Sequence, residues 1–85
     1  MTVKQAKEIA KKCVPDVKIA SVVYTGKMAG IDNEIGIELI VVAKCGLIWK
    51  LIVWNDNTVQ RYACDIDYCK SIKWYDYDGK VRDDD

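Results

Sequence analysis

Cys13, Cys45, Cys64 and Cys69 are the side chains best suited to nucleophilic or metal chemistry in this 85-residue chain, and no histidine accompanies them. A reactive thiolate needs a neighbouring cation or base, and a tetrahedral zinc site needs closely spaced thiolates or imidazoles. The spacing provides neither. Four residues separate Cys64 from Cys69, no Cys-x-x-Cys pair occurs, and the carboxylates of Asp65 and Asp67 disfavour a thiolate nearby. Ser21 and Ser71 lack a histidine to activate them, while Asp65 and Asp67, two apart in a strand, merely share a face. Asp76, Asp78 and Gly79 have part of a calcium loop's spacing, but its remaining oxygen ligands and closing glutamate are missing. The expectation is a chain without enzyme activity: no catalytic residue, no metal site and no cofactor.

Recognition chemistry is better represented. Trp74, Tyr75, Asp76, Tyr77 and Asp78 interleave aromatic rings with carboxylates, as at interfaces where aromatic anchors sit inside a polar rim. Ile72 shares the face of Trp74, which favours ordinary strand packing there and leaves Tyr75 and Tyr77 as the freer rings. Lys27 and Met28, in a Gly26 to Glu34 segment that reads as a loop, form a second contact candidate. These features predict a protein partner and a role as inhibitor or regulator. The alternative is an acidic mimic of nucleic acid, of the kind phages use against defence or DNA-processing enzymes. Asp65, Asp67, Asp76, Asp78 and Asp83 to Asp85 would supply its charge. Lys4, Lys7 and Lys11 form a ridge that could follow a phosphate backbone. However, 13 basic residues balance 13 acidic ones and the pI is about 6.2, which argues against a nucleic-acid ligand.

The elements that must carry these residues are legible in the periodicity. Val3, Ala6, Ile9, Ala10 and Cys13 fall within an arc of about 120° at helical spacing. Thr2 followed by Gln5 fits a capping box, and Pro15 stops the helix near Val14. Val17 to Thr25, Ile35 to Lys44, Leu47 to Trp54 and Val59 to Cys64 read as strands, with Ser71 to Tyr77 as a further extended piece. The fold class is therefore α+β: an N-terminal helix packed on an antiparallel sheet of four to five strands. Residues 1 to 80 form a single domain and 81 to 85 an acidic tail.

Cys45-Gly46 and Asp56-Asn57, taken as two-residue hairpin loops, set Lys44 opposite Leu47 and Asn55 opposite Thr58. Ile40, Val42, Trp49, Leu51, Val53, Tyr62 and Cys64 then share one face. Ile37, Leu39, Val41, Ala43, Ile48, Ile52, Trp54 and Val59 share the other. Both faces are apolar and one helix covers only one of them. The second needs the C-terminal segment, a partner, or a second copy in a homodimer. Lys4 and Lys7 stand where a secretory signal needs an apolar stretch, and no run approaches the ~20 apolar residues of a membrane span. A cytoplasmic protein with free thiols and no membrane contact is expected.

The stretch QAKEIAKKCVPDVKIASVVY, residues 5 to 24, resembles the opening of a PepSY domain, in which an amphipathic helix ends at a Val-Pro pair before a strand. RYACDID at 61 to 67 and Ile72 to Asp78 loosely resemble that family's closing strand. Asp16 stands where the family has glycine, Tyr68 to Ser71 replace its Thr-Gly turn, and Leu47 to Trp54 is an added strand. The resemblance implies a helix on an antiparallel sheet and a non-catalytic role in binding or restraining a peptidase.

Overall fold

A computed structural model describes residues 1–31, 34–64 and 69–82. The Asp65 and Asp67 pair and the acidic residues Asp83, Asp84 and Asp85 lie outside the described residues. One helix, α1 (Val3–Lys12), packs on a five-stranded antiparallel sheet of β1 (Ile19–Ile31), β2 (Glu34–Ala43), β3 (Ile48–Trp54), β4 (Thr58–Cys64) and β5 (Cys69–Asp76). Strand order follows sequence order, so each strand pairs with its chain neighbour and β1 forms one edge. The α+β expectation holds.

The capping box forms as its residues predict. Thr2 Oγ1 accepts from the Gln5 N–H at 3.1 Å, and Gln5 Oε1 accepts from the Thr2 N–H at 2.8 Å. At the other end Cys13 is the C-cap, and Arg61 Nη1 donates to its carbonyl at 3.2 Å. The guanidinium, 5.1 Å from the centre of the Tyr75 ring, places a buried cation at the negative end of the helix dipole. Ala6, Ala10 and Cys13 are the buried face of α1; their small side chains let the helix lie close on the sheet.

The hairpins differ from expectation by one residue, and the difference exchanges sheet faces. The Ala43 N–H donates to Leu47 O at 2.8 Å and the Gly46 N–H to Ala43 O at 3.0 Å, so the loop is Lys44-Cys45-Gly46. Asn57, at φ 74°, ends a loop of the same length after Trp54. The common two-residue hairpin loops need positive φ at their first central residue, or at both. Here only the last loop residue has it: Gly46 at 95°, Asn57 at 74°. Each loop therefore has three residues and closes on a left-handed one.

Leu39 consequently opposes Leu51, Val41 opposes Trp49 and Ile37 opposes Val53. Trp49, Leu51 and Val53 belong with Ile37, Leu39, Val41, Ala43 and Val59 under the helix, and not with Ile40 and Val42. The opposite face carries Ile40, Val42, Ile48, Ile52, Trp54 and Tyr62, but Glu38, Lys50 and Gln60 stand among them. Lys50 lies 3.9 Å from Glu38 and 4.5 Å from the Tyr62 ring centre. Trp54 and Ile52 are buried on this face because they fold over Gly36. A Cβ there would meet Ile52 Cγ2 at 2.5 Å and Trp54 Cε3 at 2.9 Å. The second face is thus less apolar than the shifted register implied.

Residues 26–31, expected as part of a loop, belong to a strand. β1 continues through them to Ile31, with a register break between Tyr24 and Met28 where Gly26 takes φ 83°. Glycine here marks a bulge within a strand and not its end.

Candidate functional site

Two segments singled out for recognition meet at one end of the sheet. Met28 in β1 is 59% exposed and borders Ile35 and Ile37 of β2, Asn55 of the β3–β4 loop and Met1. On the other side of Met1 and Asn55 a larger groove, about 560 Å³, is lined by Gln5 and Ile9 of α1 and by Tyr77 after β5. Both methionines of the chain line this apolar end. Methionine has a long, unbranched, polarisable side chain that adapts to irregular apolar partners.

Local chemistry fixes the groove. Asn55 joins the β3–β4 loop to β2, donating its N–H to Ile35 O at 3.0 Å and accepting the Ile35 N–H on Oδ1 at 3.4 Å. Tyr77 stands in a turn of the same kind as the two hairpins. The Asp76 N–H donates to Lys80 O and the Gly79 N–H to Asp76 O. Its hydroxyl donates to the Trp54 carbonyl. Burial pushes the Tyr77 phenol above its ordinary range, the Asn57 main chain opposes this and the charge of Asp56 adds to it.

Alternation along β5 separates the other candidates. Tyr75 is 6% exposed and belongs to the core beside Val59, whereas Trp74 is 40% exposed on the opposite face. The packing preference expected of Trp74 thus falls to Tyr75. Asp76 sits 3.6 Å from Arg82 Nε, and Asp78 sits 3.9 Å from Lys80 Nζ while its Oδ1 accepts the Lys80 N–H at 3.1 Å. Each carboxylate has a cation of its own chain beside it. Lys27 is exposed beside the bulge, where its N–H donates to Thr25 Oγ1.

Of the cysteines whose side chains are described, Cys45 is exposed at a hairpin tip and Cys13 is buried with its Sγ 3.7 Å from Asp76 O. Burial pushes the Cys13 thiol from 9.0 up to about 11, with Arg61 pulling it down and Asp78 pushing it further up. Protonated at neutral pH, it is a packing group and a weak donor. The shift has a consequence for stability. Unfolded Cys13 releases its proton near 9.0 while the folded chain holds it to about 11, so stability is complete below 9.0 and falls as pH rises above it. A loss of about 1 kcal/mol between roughly pH 8 and pH 10 is expected from this residue. Urea midpoints across that range should fall less steeply for Cys13→Ala than for the parent; equal slopes would refute the assignment.

Among the described residues no group of three or more Cys, Asp or Glu is placed to hold a metal ion, and no helix is long and apolar enough to cross a membrane. Comparison of the chain with known protein families, with curated proteins and with solved structures finds no match.

Proposed function

We propose that this chain is a non-catalytic protein-binding module, an inhibitor or regulator, which receives an apolar segment of its partner in the groove between the start of α1 and the β1–β2 end of the sheet. The observation that carries this is the convergence of Met1, Met28, Ile35, Ile9 and Tyr77 from distant parts of the chain on one continuous apolar end. Exposed apolar surface gathered at one place, rimmed by Lys4, Gln5, Glu8 and Asn55, has the make-up of an interface core within a polar rim. The PepSY resemblance would make the partner a peptidase.

The reading as an acidic mimic is less well supported, because Asp76 and Asp78, the two of its aspartates among the described residues, have Arg82 and Lys80 beside them. A homodimer through the second sheet face would have to bury the Glu38, Lys50 and Gln60 cluster.

A photoreactive residue at Gln5, compared with one at the distant Cys45, tests the groove in a lysate of the native host. A discrete adduct is expected from position 5 and not from position 45. Met28→Asp with Ile35→Asp, both at exposed positions, should reduce it about tenfold or more. Salt should change it little. Adducts alike from both positions, or unmoved by the double substitution, would refute the groove. Loss on raising salt, and on Asp76→Asn with Asp78→Asn, would favour the mimic.

A further inference from the structure

The two edges of the sheet are treated differently. Along β5 the chain turns back on itself: Val81 bridges Tyr75 and the Arg82 N–H donates to Trp74 O at 2.8 Å. Along β1 no described segment pairs with the outer side, although edge strands leave a row of main-chain donors and acceptors open to another strand. Bulges at Ala20 and around Gly26 break the edge, and the regular stretch between them is Ser21 to Tyr24. Beside it runs a cleft of about 370 Å³ between β1 and α1, bordered by Lys4, Lys7 and Lys11 with one carboxylate, Glu8, among them. Lys11 is engaged by Glu8 at 3.2 Å, but Lys4 and Lys7 have no ion pair among the described residues. An open strand edge thus lies beside a ridge of positive charge in a chain whose net charge is zero.

We infer that the β1 edge is a second docking site, which accepts an extended acidic segment of a protein partner as an added strand. Main-chain hydrogen bonds to Ser21 to Tyr24 would supply the pairing, and alternation would supply the selectivity. Val22 and Tyr24 turn toward the helix side and Val23, on the other face, is exposed. Every second side chain of the incoming strand therefore rises toward the lysines, and those between extend the open face beside Val23. The chemistry recognised is an alternating acidic and β-branched apolar sequence. Polyanionic nucleic acid could satisfy the lysines but leaves the strand edge unpaired. A second copy through the same edge would bring two lysine ridges together.

The probe is a capped peptide of alternating Glu and Val, titrated against the full chain by fluorescence anisotropy, with amide hydrogen exchange read at Ser21 to Tyr24. Every second amide of that stretch points away from β2, and binding is expected to protect those outward amides and to weaken as salt is raised to about 0.3 M. Lys4→Glu with Lys7→Glu should weaken it about tenfold or more. Two N-methylated forms separate pairing from simple charge attraction. Methylation of the Glu amides blocks one edge of the peptide and methylation of the Val amides the other, so only one form should lose binding. Equal binding by both forms, equal binding by oligothymidylate, or no binding at millimolar peptide would each overturn the proposal. Met28→Asp with Ile35→Asp should leave this titration unchanged, so failure at the edge is distinct from failure of the groove.

Discussion

Gly79→Ala is expected to cost about 3 kcal/mol of stability or more, against about 1 kcal/mol for Gly46→Ala. Both glycines close hairpin-type turns with positive φ, 86° and 95°. The backbone penalty for a Cβ is therefore similar at the two sites. Their surroundings differ. Nothing lies within 4 Å of a Cβ at Gly46, whereas at Gly79 it would overlap the Lys12 carbonyl oxygen and approach the Lys12 carbonyl carbon and Cβ at 3.1 Å. Relief requires either the last turn of α1 or the turn after β5 to move, and Cys13 holds both through Asp76 and Arg61. Denaturant melts followed by tryptophan fluorescence measure the difference. Equal losses at the two glycines would mean that the helix and the final turn do not touch as described.

Leu51→Ala should be comparably damaging, about 3 to 4 kcal/mol, while Ile48→Ala should cost less than about 1 kcal/mol. Leu51 is fully buried against Leu39, and Ile48 is largely exposed on the other face. A double-mutant cycle then tests the register itself. Leu39 and Leu51 are opposed and should show a coupling above about 0.5 kcal/mol, whereas Leu51 and Ile40, on opposite faces, should be additive within about that margin. Coupling of Leu51 to Ile40 in place of Leu39 would restore the register with two-residue loops.

That register shows where local sequence stops being informative. The helix was legible because a capping box, an apolar stripe and a proline all act within the segment they specify. The strands were legible from their β-branched runs. Cys45-Gly46 and Asp56-Asn57 look the same whether the left-handed residue ends a two-residue or a three-residue loop, and that single residue decides which face Leu51 occupies. Gly26 was similarly ambiguous, since a bulge and a strand end use glycine for the same dihedral. Tyr75 and Trp74 could be sorted only after β5 was set against β4. Of the groove, Met28 and Tyr77 were visible as candidates, but Met1, Ile9, Ile35 and Asn55 join them only through tertiary proximity. The lysine ridge was visible too. What it faces became apparent only once β1 proved to be an edge.

Strand order that follows the chain has a kinetic consequence. Every pairing in the sheet is between consecutive segments, so each hairpin can close as soon as its second half is available, with little loop entropy to overcome. Contacts of the helix are of longer range: α1 packs on β2 and β3, and the meeting of Lys12 and Cys13 with Asp76 and Gly79 spans most of the sequence. Folding should therefore run as a rapid zipper that finishes with a late latch. A lesion at Gly79 would then appear chiefly as faster unfolding, with the rate of assembly almost untouched.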